Sequence, residues 1–188
     1  TVVANSESKT YDGKELADSG FENEEEGRGI PVVAANGKTY YVTGLTSEAR
    51  GTDVSDSVAS IPVNGTAIVK DAEGNVVTDD FNVKVTNGSL TISKRDLTLT
   101  SATLEKEYDG EPLVNGETPL AVENGWAKGE GATYTFTGSQ TLVGHSANAF
   151  TINWNAGTDA NNYNLSKTEG QLTVSNRKAK YEVTVVAN

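Results

Sequence analysis

Tyr11-Asp12-Gly13-Lys14-Glu15-Leu16 returns further along the chain as Tyr108-Asp109-Gly110-Glu111-Pro112-Leu113, an offset of 97 residues. Other stretches return in the same order. Thr39-Tyr40-Tyr41-Val42-Thr43-Gly44 comes back as Thr133-Tyr134-Thr135-Phe136-Thr137-Gly138 at an offset of 94. Thr52-Asp53-Val54 matches Thr141-Leu142-Val143, and Ile61 with Val63 matches Phe150 with Ile152, both at 89. Phe81-Asn82-Val83 and Gly88-Ser89-Leu90-Thr91-Ile92-Ser93 match Tyr163-Asn164-Leu165 and Gly170-Gln171-Leu172-Thr173-Val174-Ser175 at 82. Collinear matches with a shrinking offset are what two copies of one fold produce when their loops differ in length, because surface loops absorb insertions and strands do not. The main length difference is expected at Lys70–Val77, read as an extended hairpin around Glu73-Gly74-Asn75. The second copy replaces it with Asn155–Asp159.

A second echo joins the two ends. Thr1-Val2-Val3-Ala4-Asn5 recurs as Thr184-Val185-Val186-Ala187-Asn188, 183 residues on. The expected organisation is therefore a first repeat domain at 1–95, a second at 96–177, and at 178–188 the first strand of a third, truncated repeat. The expectation is one period of a longer array, with signal and anchor elsewhere in the parent protein. An orphan strand at Tyr181–Val186 has unpaired backbone groups and is expected to be disordered or to pair with a neighbouring chain. Ser93-Lys94-Arg95-Asp96 makes a short linker with limited bending.

The apolar pattern has period two. Val83 and Val85, Leu90 and Ile92, Leu97 and Leu99, Tyr134 and Phe136, Leu172 and Val174 alternate with polar residues, as do Phe150, Ile152 and Trp154. Thr86-Asn87-Gly88 predicts a hairpin turn, since Asn and Gly both accept positive φ. Helical spacing is not sustained, and the charged run Glu22–Arg28 reads as a solvated loop. The fold class is all-β: two tandem β-sandwich domains of immunoglobulin-like type. A β-grasp-like domain is the alternative and requires a helix in each copy.

Composition narrows the functions. Apolar residues are 36% of the 188, below the roughly 45–50% of an ordinary globular chain, as thin β-domains with much surface require. Acidic residues outnumber basic ones 15 to 9 through Arg95 and 11 to 6 beyond it, and the net charge of −11 repels phosphates, so no nucleic-acid partner is expected. The absence of cysteine removes disulfides and thiolate metal sites, and no long apolar run spans a membrane.

No catalytic, cofactor or metal residues emerge. His145, the only histidine, reads as a solvated loop residue at a position where the first copy has Asp56. Asp71-Ala72-Glu73-Gly74-Asn75 lacks the later bidentate glutamate of a calcium loop, and Asp79/Asp80 is a weaker version of the same idea. A Lys–Asn isopeptide bond would need a buried lysine, an asparagine and a carboxylate together, and no unique triplet stands out. Tyr11, Asp12, Gly13 and Tyr108, Asp109, Gly110 read as a structural motif: Asp-Gly makes a turn, and the tyrosine ring packs at the sandwich edge. Trp154 alternates with core positions, whereas Trp126 sits in a turn-rich stretch without a counterpart in the first copy. It is the candidate ligand contact, with sugar stacking as its chemistry.

Tyr-Asp-Gly followed by Lys14 or Glu111 and a leucine resembles the YDG/MBG-type domains that occur in tandem in large Gram-positive surface proteins. Gly138-Ser139-Gln140-Thr141-Leu142-Val143-Gly144 resembles their mid-domain segment. Asn87–Arg95 and Gly170–Val174 resemble their terminal strand. The first copy departs from the pattern at Ser55. The resemblance implies an adhesin-like stalk or spacer, not an enzyme. It would lie outside the cell, attached to the cell wall through its parent and flanked there by neighbouring repeats, and monomeric in isolation. The alternative is a binding module for host glycan, mucin or extracellular matrix protein.

Overall fold

The computed structural model describes residues 1–116, 120–178 and 184–186. It is all-β, with 52% strand and no α-helix among the described residues. The helix that a β-grasp unit needs is thus not among them. The chain divides into two compact units, Thr1–Arg95 and Asp96–Asn188.

In unit 1 the strands are β1 (Val2–Val3), β2 (Glu7–Thr10), β3 (Leu16–Ser19), β4 (Ile30–Val33) and β5 (Thr39–Thr46). They continue as β6 (Glu48–Gly51), β7 (Val58–Ile61), β8 (Asn64–Lys70), β9 (Val85–Thr86) and β10 (Gly88–Ser93). Unit 2 has β11 (Arg95–Thr100), β12 (Leu104–Glu107), β13 (Leu113–Val114), β14 (Ala121–Glu123) and β15 (Ala132–Phe136). It closes with β16 (Ser139–Gln140), β17 (Gly144–Ala147), β18 (Phe150–Trp154), β19 (Tyr163–Thr168) and β20 (Gln171–Ser175).

The pairings repeat between units. β2-β10-β7 and β12-β20-β17 are equivalent three-stranded sheets, β3-β6 matches β13-β16, and β5-β8 matches β15-β18. In each sheet of three, an early strand lies parallel to the closing one: Leu90 opposes Glu7 and Ser93 opposes Thr10, while Leu104 opposes Leu172 and Glu107 opposes Ser175. The closing strand's other neighbour is antiparallel. Parallel partners need a long crossover, and here the crossover is the rest of the unit.

The hairpin expected at Asn87-Gly88 does not form. β9 pairs with β1 and β10 with β2, both parallel and both at an offset of 83 residues, so the chain runs straight through Asn87. Gly88 is needed for room, not for a turn. A Cβ there would lie 1.8 Å from the carbonyl oxygen of Asn5. Gly170 repeats the arrangement, with Ala102 O at 2.3 Å from the same hypothetical atom.

The length difference also lies elsewhere than at Lys70–Val77. Val42 opposes Val69, and Phe136, at the repeat position of Val42, opposes Phe150. Val69 and not Ile61 is therefore the counterpart of Phe150. The short 3-10 turns Thr78–Asp80 and Ala160–Asn162 begin nine residues after Val69 and ten after Phe150, so unit 1 has no extra length here. The extra residues of unit 1 extend the β5–β8 ribbon past a bulge at Gly44, pairing Leu45 with Gly65 and Thr46 with Asn64.

Each core follows from the alternation. Val2, Ala4, Phe21, Ile30, Val42 and Val69 form one cluster of unit 1, with Tyr40, Phe81 and Val83 packed against it. Leu90 and Ile92 of β10 and Ile61 are also buried. In unit 2, Leu97, Leu99, Phe150, Tyr163, Leu172 and Val174 are buried.

Candidate functional site

The Asp-Gly turn after the tyrosine makes the same contacts in both units. Gly13 and Gly110 take positive φ, 75° and 92°, where a side chain is strained and glycine is not. Asp12 Oδ1 accepts the Lys14 backbone N–H at 3.0 Å and the Lys9 ammonium at 2.6 Å, while Lys9 also donates to the Lys14 carbonyl. In unit 2, Asp109 Oδ1 accepts from Glu111 N at 3.0 Å and from Lys106 Nζ at 2.6 Å, and Lys106 donates to Glu111 O at 2.6 Å. The ammonium groups hold Asp12 and Asp109 below the usual aspartate range, and the backbone N–H bonds add to this. The lysines are the more shielded partners, with side chains 19% and 22% exposed against 42% and 53% for the acids.

This corner sits where the parallel pair ends. Tyr11 N donates to Ser93 O at 2.8 Å and Tyr108 N to Ser175 O at 2.9 Å, each adding one bond beyond the last paired residue. Lys9 and Lys106 lie on β2 and β12, so the ion pair ties the end of that strand to the turn leaving it. The motif is thus Lys-X-Tyr-Asp-Gly. The lysine stands two residues before the tyrosine in both copies, as Lys9-Thr10-Tyr11 and Lys106-Glu107-Tyr108, outside the turn residues themselves. The tyrosines differ: Tyr11 is 3% exposed and packs as expected, whereas Tyr108 is 39% exposed and does not.

Trp126 is half-buried in a ring cluster of unit 2. Its ring lies 5.6 Å from Trp154 and 5.3 Å from Tyr163, both edge-on. The indole is hydrogen-bonded to the Tyr134 hydroxyl, whose titration is pushed up by burial. The Tyr163 hydroxyl accepts from Ala127 N at 2.9 Å and donates to Glu130 Oε2 at 2.6 Å. Trp126 is therefore part of the unit's own packing. Trp154 is half-buried and not a full core residue.

The other candidates are held by their own turns. Asp71 accepts from Glu73 N, Asn75 N and Asn75 Nδ2, which draws its titration down. Asp56 caps its loop by accepting from Thr52 N and Asp53 N, with the same effect. Among the described residues no group of three metal-ligating side chains comes together. His145 is exposed on β17 and not in a loop. A groove of about 650 Å³ in unit 1 is bounded by Phe21, Glu24, Arg28, Ile30 and Leu45. Arg28 stacks 4.2 Å over the Tyr41 ring and faces Glu25 at 3.6 Å. Compared with family models, curated proteins and solved structures, the chain matches none.

Proposed function

We propose that this chain is a non-catalytic, load-bearing spacer: two immunoglobulin-like sandwich units of the YDG/MBG type, part of a cell-wall-attached, adhesin-like surface protein. The observation that carries this reading is the parallel pairing of an early strand with the closing strand in each unit, finished by the same Lys-X-Tyr-Asp-Gly corner.

Parallel partners make the chain enter a unit at one end of the pair and leave at the other. Tension applied through the ends then slides the two strands along each other. All the inter-strand hydrogen bonds resist together, whereas strands peeled from one end yield bond by bond. Forced unfolding is set by the unfolding barrier, and shear loading raises it. The acids of the corner ion pair are well exposed, so water screens the pair and it contributes little to equilibrium stability. Its position at the end of the sheared strand favours a part in bearing load.

Single-molecule pulling tests the reading. Held by its ends, the chain is expected to show two unfolding events. Unit 1 held through Ser6→Cys and Asn87→Cys, at one end of the β2–β10 pair, is expected to yield at clearly lower force. Equal forces in the two geometries would refute load-bearing by this pair. Glycan or mucin binding by the folded chain, lost on Trp126→Ala without loss of fold, would favour the binding-module reading instead.

A further inference from the structure

The sheet that carries β5 and β8 in unit 1 has three strands, and its equivalent in unit 2 has two. In unit 1, β4 lies antiparallel on the outer edge of β5, with Val32 opposite Tyr40 and Ile30 opposite Val42. Ala34 N donates to Lys38 O at 3.0 Å, and antiparallel strands exchange bonds at every second residue. Tyr40 and Val42 therefore give their N–H and C=O groups to β4. Tyr134 and Phe136 stand at the repeat positions of Tyr40 and Val42. On β15, Asn155 N donates to Gly131 O at 3.0 Å and Thr137 N to Ala149 O at 2.8 Å, so it is Thr133 and Thr135 that bond β18. Ala132, Tyr134 and Phe136 turn their N–H and C=O groups the other way, and no strand among the described residues pairs with them there. Residues 124–131 join β14 directly to β15 without forming a counterpart of β4. Phe136 is half-buried where Val42 is 1% exposed.

Sheet edges that must stay alone are blunted by charge, proline or a bulge. In unit 1 the outermost strand is β4, and it carries Pro31 between the two residues that bond β5, so the missing N–H faces outward. β15 has no proline, and its pairing with β18 runs without a bulge. No Asp, Glu, Lys or Arg occurs from Gly131 to Thr158, a run that holds β15 and β18 whole in a chain that is 22% charged. A net charge of −11 makes two copies repel each other, and that repulsion has its weakest footing along this ribbon.

We propose that the outer edge of β15 is a self-association site whose occupant is β15 of a second copy of this chain, antiparallel about a two-fold axis at Tyr134. In that register Tyr134 faces the second copy's Tyr134, and Ala132 faces its Phe136. Every outward-turned residue of one strand lies opposite one of the other, so the N–H and C=O groups left over on both satisfy each other. The small alanine makes room for the phenylalanine ring. On the opposite face Thr133 meets the second copy's Thr135, and aromatic and threonine pairs of this kind stabilise a sheet. The contact is isologous and closes at two copies. It departs from the monomer that the resemblance implies.

The register can be read by cross-linking, because the chain has no cysteine of its own and Thr133 and Thr135 are exposed. Across the two-fold, positions 133 and 135 would have Cα atoms about 4.5 Å apart, within disulfide reach, whereas like positions stand about 7–8 Å apart, beyond it. When Thr133→Cys and Thr135→Cys chains are mixed under mild oxidation, the mixed dimer is expected to outweigh both homodimers. Ala132→Pro removes one outward N–H and leaves the β15–β18 bonds in place. In sedimentation the parent chain is expected to dimerise as its concentration rises, and Ala132→Pro to weaken the dimer about tenfold or more, with tryptophan fluorescence confirming that unit 2 is folded. A parent chain that stays monomeric up to its solubility limit, cross-links without preference for the mixed pair, or a dimer that Ala132→Pro leaves unchanged overturns the proposal. Should Ala132→Pro unfold unit 2, Thr133→Lys with Thr135→Lys takes its place, since it sets like charges opposite each other across the contact. A dimer weakened about tenfold by that pair supports the proposal, and an unchanged one refutes it.

Discussion

Gly170→Ala tests the packing argument at its sharpest point. The residue's φ is not positive, so alanine suits its backbone and only space is at issue. The added Cβ would lie 2.3 Å from Ala102 O and 2.5 Å from Ser101 O, so backbone must move. Four hydrogen bonds hang on this contact. Gly170 N donates to Ser101 Oγ at 2.9 Å, Asn148 N to Gly170 O at 2.8 Å, Asn148 Nδ2 to Ala102 O at 2.8 Å, and Gln171 N to Thr103 Oγ1 at 3.2 Å. At about 1 kcal/mol each, loss of most of them costs about 3 kcal/mol. Reduced freedom of the unfolded chain returns about 0.4–1 kcal/mol, leaving a net loss of about 2–3 kcal/mol. Both tryptophans, Trp126 and Trp154, belong to unit 2, so urea denaturation followed by tryptophan fluorescence reads this unit alone. With a slope of about 1 kcal/mol per molar urea, the midpoint should fall by about 2–3 M. Gly116→Ala is the control, since nothing lies within 4 Å of its hypothetical Cβ. If Gly170→Ala lies within about 0.5 kcal/mol of that control, the close approach does not constrain the fold.

Four further outcomes follow from other sites. Asp12 and Asp109 have carboxyls held below the ordinary value of 3.8 by Lys9 and Lys106. Their stabilising effect is present above that value and is lost as pH falls through the lowered one, so Lys9→Met with Lys106→Met should shrink the stability difference between neutral and strongly acidic urea titrations. Leu90→Ala, at 0% exposure, should cost about 2–5 kcal/mol by chemical denaturation. Leu142→Ala, at 70% exposure, should stay within about 0.5 kcal/mol of the parent. Trp126→Ala removes two edge-on ring contacts and should lower the stability of unit 2 by about 1–3 kcal/mol, less than the 3–5 of a fully buried tryptophan, as read by calorimetry.

The repeat, the all-β class and most inward-facing positions were legible because they depend on local period and on matches between copies. Leu90, Ile92, Leu172 and Val174 alternate in sequence and are buried in fact. Gly88 was misread for a definite reason. An Asn-Gly pair reports a local preference for positive φ, but this glycine answers to Asn5, 83 residues away, and no window on the chain contains both. The β5–β8 extension was misplaced likewise, since offsets between short matches do not say on which side of a strand the extra residues fall. The corner lysine was legible in principle, standing two residues before the tyrosine in both copies. The strand proposed at Tyr181–Val186 falls partly on 181–183, outside the described residues, and its described part, 184–186, is exposed and not in a strand.

The wide separation of the paired strands also sets an order of events during synthesis. The Lys-X-Tyr-Asp-Gly corner joins groups within six residues and can form as soon as they emerge. β2 finds its parallel partner only when residues 90–93 have been made, and β12 only when 172–175 have. Closing so long a loop is entropically slow. A nascent unit therefore holds its corner early but stays open along its seam until its last strand appears, and it locks only once it is complete.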